Sequence, residues 1–464
     1  MAAAAPPLLH LVIFPYMAQG HTIPLLDISK AFAIRGLKVV IITTPSNASF
    51  IVSKTSKHPN ISLSIIPFPR VPELPEGCEN TVDLPSMALL STFVEATKKM
   101  KQPFEGVLID MIADGHPPIC VISDFFLSWT LDSCRSFRIP RLVSHGMGAL
   151  PMAICKSLTL LPLITKPTTN LDPLELPNLK LPFTLHKANI PEGLLDFDPN
   201  NPFIHIILEG DHVGAFESFY FNDAKAYCLG PFFLYNELKQ EAKAEKVQMQ
   251  SYSYIKWLEK EAGSDGHTVI YVSFGSQAHL SDDQLDEIAF GLEMAEHPFI
   301  WVVRSKTWAA PEGWKERVKE KGLVLHDWAD QRSILSHPAI GGFLSHCGWN
   351  SMLESISMGV PLLAWPMLGV SEQELNAEFI ISGWGAGIMI PHRGDGGEKI
   401  MNVGRDVICN RVKELMGGGE GRKAREKAQA LGIKARGAVE TCGSSYKKLD
   451  QLIDQLGNNK NGKS

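Results

Sequence analysis

The residues able to do chemistry sit at the ends of short apolar runs. His21 follows "LLHLVIFPY", Asp124 ends "VISD", Ser276 ends "YVSFGS", His346 ends "GFLSH", and Glu372 and Gln373 follow "LLAWP". A lone His after a strand is more often a turn or core residue. Asp124 stands at the buried end of an apolar strand, where a carboxylate needs a partner. In a His21–Asp124 pair the carboxylate would fix the imidazole tautomer, and the imidazole could take a proton. "FLSHCGWNSMLESISMGVP", residues 343–361, suggests a different chemistry. His346, Asn350 and Ser351 lead from an apolar run into a helical pattern, and no Lys or Arg occurs from His337 to Gln373. Ser351 and Glu354 have capping-box spacing, and taken alone the motif favours simple helix capping. The functional alternative is a phosphate received by unpaired helix N–H groups, the helix dipole and neutral side-chain donors.

Repeated strand–helix units must position these residues. "LLHLVIFPY" reads as a buried parallel strand, the turn "MAQGH" leads to the helix "TIPLLDISKAFAIRG", and "LKVVIITTP", "ICVISDFF" and "RLVSHG" supply further strands. Residues 165–205 are rich in Pro, Asn and Asp and read as long loops. A second series begins with "TVIYVSFGS" and a helix opened by a Ser281…Gln284 capping box. It continues through "FIWVVR", "GLVLHDW", "IGGFLSH", "PLLAWP" and "GAGIMI" to a last helix, "SSYKKLDQLIDQL", and a polar tail expected to be disordered. Such alternation predicts doubly wound α/β domains, in which ligands bind beyond the carboxyl ends of the strands. The division expected is a first domain over 1–238, a linker over 239–251, a second domain over 252–440, and a helix and tail over 441–464. That helix is expected to pack back on the first domain.

The bulk numbers agree with a two-domain protein: 464 residues, 45% hydrophobic and 20% charged. A formal charge of −6 gives no reason to expect nucleic acid or acidic membranes as partners. "MAAAAPPLLH" makes a poor secretion signal, and no apolar stretch approaches a membrane span. The eight Cys are scattered without CxxC pairs, which fits a reducing cytosol. Asp196 and Asp198 form a "DFD" reminiscent of a metal-binding pair, but no clear strand precedes them and they are rejected as a metal site. The glycine-rich "MGGGEGR" follows a helix and reads as a connector.

Context strengthens the phosphate reading. From Trp328 to Gln373 the chain runs "WADQRSILSHPAIGGFLSHCGWNSMLESISMGVPLLAWPMLGVSEQ". This closely resembles the signature box of plant family 1 UDP-sugar glycosyltransferases, and the similarity extends to "FPYMAQGHTIPLLDISKAFAIRG", "YVSFGS" and "GSSYKKLDQLI". The resemblance implies a GT-B fold, two facing Rossmann-like domains with an interdomain cleft. It implies that Trp328 stacks on uracil, that Ala329 meets the base edge through its backbone, and that Gln331 and Glu354 hold the ribose. Ser276, His346, Asn350 and Ser351 would hold the phosphates, and Trp349, Glu372 and Gln373 would face the sugar. His21 and Asp124 would be the catalytic pair, and Phe125 and Phe126 would contact the acceptor. Two features depart from the family pattern: Asp330 replaces a frequent Pro, and five residues instead of the usual three separate Pro366 from Glu372.

The function expected is an inverting, metal-independent transfer of glucose from UDP-glucose to a small apolar plant metabolite, a flavonoid, phenolic or terpenoid. No cofactor is expected, and the enzyme is expected to be a cytoplasmic monomer. A UDP-sugar epimerase or hydrolase on the same scaffold, or a C-glucosyltransferase, are the alternatives. A non-catalytic binding protein would not need both His21 and Asp124, and no GxGxxG follows the first strand to support a nicotinamide dehydrogenase.

Overall fold

The computed structural model describes residues 9–160, 167–176, 179–191, 194–195, 227–237, 253–262, 266–275, 278, 280–305, 307–367 and 372–460. The chain divides into two compact units. One comprises Met1–Gly146, Phe197–Lys239 and Ala438–Ser464; the other comprises Met147–Asp196 and Gln240–Gly437. The expected linker at 239–251 lies outside the described residues, as do Ser276, Asp196 and Asp198.

The first unit alternates β1 (His10–Phe14), α1 (Gln19–Ile34), β2 (Lys38–Thr43), α2 (Pro45–Thr55) and β3 (Ile61–Ile65). It continues with α3 (Leu90–Lys98), α4 (Lys101–Ala113), β4 (Cys120–Asp124), α5 (Thr130–Ser136) and β5 (Arg141–Ser144). The strands are parallel, in the order β3-β2-β1-β4-β5. The chain builds the sheet outward from β1 in one direction, then returns to β1 and builds in the other. The gap between the ends of β1 and β4 is therefore a topological switch point. Every residue of β1 after His10 is buried, which explains the unbroken apolar run. Val12 and Phe14 share a core with Phe93, Phe104 and Trp129. β3 was not anticipated. Its "ISLSI" is an edge strand with Ile65 exposed, so only a short alternation marks it.

The second unit begins with α6 (Ala149–Leu160). Residues 147–196 group with this unit. The reason is a small core. Leu174, Leu176, Leu185, Ile190 and Leu194 pack with Ile154 of α6 and with Leu375, which lies far along the chain. The regular part follows as β6 (Val269–Ser273), α7 (Asp282–Ala295), β7 (Phe299–Val302), β8 (Gly322–Leu325), β9 (Ile340–Ser345) and α8 (Trp349–Met358). β10 (Leu362–Ala364), α9 (Gln373–Glu378), β11 (Gly387–Met389), α10 (Arg405–Gly417) and α11 (Gly419–Val439) complete it. The parallel order β11-β10-β9-β6-β7-β8 puts a second switch point between β6 and β9. Successive residues of β6 serve opposite faces, with Ile270 and Val272 in one core and Val269 and Tyr271 in another.

Two local expectations change. Ser281 caps α7 by accepting from the Gln284 N–H, but the Gln284 amide bonds the Val403 backbone in both directions instead of returning to the cap. The last helix, α12 (Ser444–Lys460), extends through Gly457–Lys460, where a disordered tail was expected. Within the first unit it is fastened by Asp450, which accepts from Arg35 Nε at 2.7 Å, while Tyr446 lies under the same guanidinium.

Candidate active site

The first switch point holds an imidazole against a carboxylate. α1 starts at Gln19, so His21 lies in the first helical turn and not in the turn before it. Its Nδ1 is 2.9 Å from Asp124 Oδ2. Asp124, the last residue of β4, is 1% exposed and accepts from the Phe126 N–H through its other oxygen at 3.0 Å. With Nδ1–H donating to a carboxylate, the lone pair of a neutral ring sits on Nε2, the arrangement of an oriented base. Packing fixes the ring as well. Tyr16 and Phe126 rings lie 5.6 and 5.2 Å from it, centroid to centroid. On the far side the backbone approaches so closely that a Cβ at Gly146 would be 3.3 Å from the imidazole, and Gly146 also has φ +67°.

Other groups surround this pair. Arg141, on β5, donates from Nε to Ser123 Oγ at 2.8 Å and from Nη2 to the Leu127 carbonyl at 3.2 Å, with a longer contact of 3.5 Å to the Asp124 carbonyl. Burial pushes its pKa down to about 10 against the opposing influence of Cys134 and Asp124. Burial, aided by Asp124 and Cys78, holds the Tyr16 phenol well above its usual range. The two candidate acceptor contacts separate: Phe126 lies beside His21 and Tyr16, whereas Phe125 is 4% exposed and faces the His145 ring at 5.2 Å.

The second switch point is built from neutral donors and a helix end. β9 runs into the turn His346–Cys347–Gly348, and α8 begins at Trp349 with Gly348 as N-cap and no side-chain cap. Ser351 therefore lies inside the first turn and does not cap, so the simple capping reading is set aside. The first N–H groups of an α-helix have no carbonyl partner within it, and the dipole makes that end positive. Cys347 has φ +65°, a costly conformation for a side-chain-bearing residue. It is held by Ser345 Oγ, which accepts from its N–H at 3.2 Å, and by Asn376 Nδ2, which donates to its carbonyl at 2.9 Å. His346 fits only because its neighbours are glycines: a Cβ at Gly275 or Gly348 would approach Nε2 to 2.8 or 2.5 Å. Burial pushes the His346 pKa down to about 4, against a raising contribution from the Ser273 backbone, so the ring is neutral at physiological pH.

Beside α8, Gln331 Nε2 donates to Ser351 Oγ at 3.1 Å and to Glu354 Oε2 at 2.8 Å. Arg332 Nε donates to Glu354 Oε1 at 2.7 Å, a cation that inspection of 337–373 does not reveal. Asp330 is more than a tolerated substitute for Pro. Its carboxylate caps the short helix Gln331–Leu335, and its N–H donates to Tyr254 Oη at 3.3 Å. Trp328 is 40% exposed, whereas adjoining Ala329 is buried. Trp349 and Asn350 occupy the first two positions of α8, and a Cβ at Gly148 would lie 2.7 Å from the Trp349 ring. Glu372 is the N-cap of α9 and accepts from Asn376 Nδ2 at 3.2 Å. Gln373 is 4% exposed, and its Oε1 accepts from the Met367 N–H at 2.9 Å.

Sequence reasoning also missed Glu374, buried between His392 and Arg393. The carboxylate accepts from His392 Nε2 at 3.1 Å and from Arg393 Nη2 at 2.7 Å. Only the placement of a further acidic residue directly after Glu372 and Gln373 could have pointed to it. Among the described residues no three His, Cys, Asp or Glu side chains are grouped so that they could hold a metal ion, and no helix is long and apolar enough to cross a membrane.

Residues 243–414, within the second unit, match the family model for UDP-glucoronosyl and UDP-glucosyl transferase. The protein is thus an enzyme that transfers a sugar from a nucleotide donor to an acceptor. Flavonoid 3-O-glucosyltransferase 7 of Fragaria ananassa, which uses UDP-glucose, is 34% identical over 97% of this chain and 96% of its own. Scopoletin glucosyltransferase of Nicotiana tabacum is 35% identical over 97% of this chain and 98% of its own. Among solved structures, Glycyrrhiza uralensis UGT73P12, complexed with glycyrrhetinic acid 3-O-monoglucuronide, superimposes with a TM-score of 0.84 at 27% identity, covering 98% of this chain and 97% of that one. The chain belongs to the plant family of UDP-dependent glycosyltransferases, whose fold is GT-B.

Proposed function

We propose that this enzyme transfers glucose from UDP-glucose to a hydroxyl of a small apolar plant metabolite, with inversion at the anomeric carbon and without a metal. The carrying observation is the 2.9 Å contact between His21 Nδ1 and the buried Asp124 carboxylate, which directs the basic lone pair of a neutral ring to Nε2. In this reading the acceptor oxygen forms a bond to C1 of glucose as the bond from C1 to the β-phosphate oxygen breaks. The acceptor's proton passes to His21 Nε2, the electron pair of the broken bond leaves on UDP, and Asp124 stabilises the imidazolium. The start of α8, with neutral His346, Asn350 and Ser351, stabilises the departing diphosphate. Ser276 remains part of the proposal on the strength of the resemblance alone. Trp328 stacks on uracil, Ala329 meets its edge, and Gln331 and Glu354 hold the ribose. Trp349, the Glu372 carboxylate and the Gln373 amide nitrogen read the sugar.

The acceptor class is supported by relatives named for flavonoid and scopoletin substrates and by the aromatic residues Tyr16 and Phe126 around His21. A panel of flavonoids, phenolics and terpenoids offered with UDP-glucose tests the reading, with products identified by mass spectrometry and their linkage by NMR. The outcome expected is β-glucoside formation that requires acceptor and survives extensive EDTA treatment. Sugar release without acceptor would make the enzyme a hydrolase. A stringent need for Mg²⁺ or Mn²⁺ would reopen the case for Asp196 and Asp198.

A further inference from the structure

Asp124 is held by more than His21. The segment after β4 folds into a tight turn in which the Leu127 N–H returns to the Asp124 carbonyl at 3.1 Å. Arg141 braces this turn from β5. Its Nε bonds Ser123 Oγ, Ser123 Oγ meets Thr130 Oγ1 at 3.0 Å, and Thr130 Oγ1 donates to the Leu127 carbonyl that Arg141 Nη2 also reaches. A lysine ammonium is a point charge and cannot reproduce that planar fork. Leaving a guanidinium in such a place is expensive, and burial lowers its pKa against the opposing influence of Cys134 and Asp124.

We propose that Arg141 is a positioning residue for the His21–Asp124 pair, its fork holding the turn that aims the carboxylate and its buried charge tempering the basicity of His21. The inference rests on His21 being the base. Asp124 alone would favour protonated His21, which cannot accept a proton from the acceptor. A fixed cation bound at Ser123 Oγ and at the Asp124 and Leu127 carbonyls offsets part of that field, so that His21 is neutral when the acceptor arrives. The charged and titratable groups around the pair are Arg141 from β5 and Tyr16 from the turn after β1, with Cys78 acting on Tyr16 and Cys134 from α5 acting on Arg141.

The test is the titration of His21 in full-length protein, followed by NMR of histidine-labelled samples and assigned by its absence in His21→Ala. Arg141→Gln should raise the midpoint by about one unit or more, the effect of removing one charge within about 12 Å at an effective dielectric of about 20. Arg141→Lys should leave the midpoint in place yet lower kcat about 10-fold, with the KM for UDP-glucose unchanged, because charge is kept and the fork is lost. A merely structural arginine would lower activity without moving the midpoint in Arg141→Gln, and that result overturns the proposal. So would full turnover in Arg141→Lys, which decides the matter if the neutral variant does not fold. Failure of the underlying reading looks different: His21→Ala would retain near-normal turnover whatever the titrations show.

Discussion

At the end of β4 the protein buries a carboxylate and surrounds it with His21, the Phe126 N–H and Arg141. At the end of β9 it packs His346 among glycines and backbone until the ring is neutral, then begins a helix without a side-chain cap. Both places are switch points of parallel sheets, so the topology is the same and the electrostatics differ. A site that takes up a proton must stabilise a charge that appears during the reaction, and paired ionisable groups can do this. A site for a diphosphate meets charge that is already present. Donors that do not titrate near neutrality bind it without a counter-charge of their own, and little pH dependence comes with them. Under the proposed function, one fold places a charged cluster where protons move and a neutral one where phosphate is held.

The largest effect should come from emptying the first cluster. Asp124→Ala leaves His21 and the Phe126 N–H without the carboxylate that accepts from them and should cost about 1–3 kcal/mol of stability, measurable by denaturant titration, together with most of the turnover. Asp124→Asn keeps the volume and should be milder in both respects. A fully stable Asp124→Ala protein would mean that the charges there are not coupled.

The second cluster should respond to pH through His346. The His346 pKa falls from the usual 6.5 to about 4, so the folded state prefers the neutral ring. Its contribution to stability is complete above pH 6.5 and is lost as pH falls toward 4, because the unfolded chain takes up the proton first. Between pH 7 and 5 the loss from this group should be on the order of 2 kcal/mol. Denaturation curves of wild type and His346→Asn should differ by that slope, and parallel curves would mean that the ring is not held neutral.

A smaller effect is expected from Trp328, the exposed member of the donor set. Trp328→Ala should raise the KM for UDP-glucose roughly 10-fold with little change in kcat, since base stacking is worth about 1–3 kcal/mol. Loss of kcat without a change in KM would place the indole away from the base.

Much of this architecture is legible in the sequence, and the exceptions have physical causes. Buried parallel strands such as β1 and β9 announce themselves as apolar runs, and His21, Asp124 and His346 at strand ends fall at the two switch points. The half-exposed edge strand β3 has no such run. The grouping of 147–196 depends on Leu375, a contact between distant parts of the chain that no local pattern encodes. Arg141, Arg332 and Asn376 were invisible for a related reason. Each acts by reaching a backbone or carboxylate group far away in sequence, and spacing says nothing about that. The capping-box spacing of Ser351 and Glu354 is not used, because the helix begins earlier, at Trp349 behind a glycine cap, and both side chains are engaged by Gln331 instead.

The division of labour between the two clusters is tested most directly on one preparation of His21→Ala, by measuring UDP binding calorimetrically and glucosyl transfer to a phenolic hydroxyl under the same conditions. The account predicts a UDP Kd within about two-fold of wild type and turnover reduced by roughly 10²-fold or more. Near-normal transfer to the hydroxyl, or a turnover loss matched by an equal loss of UDP affinity, would contradict it.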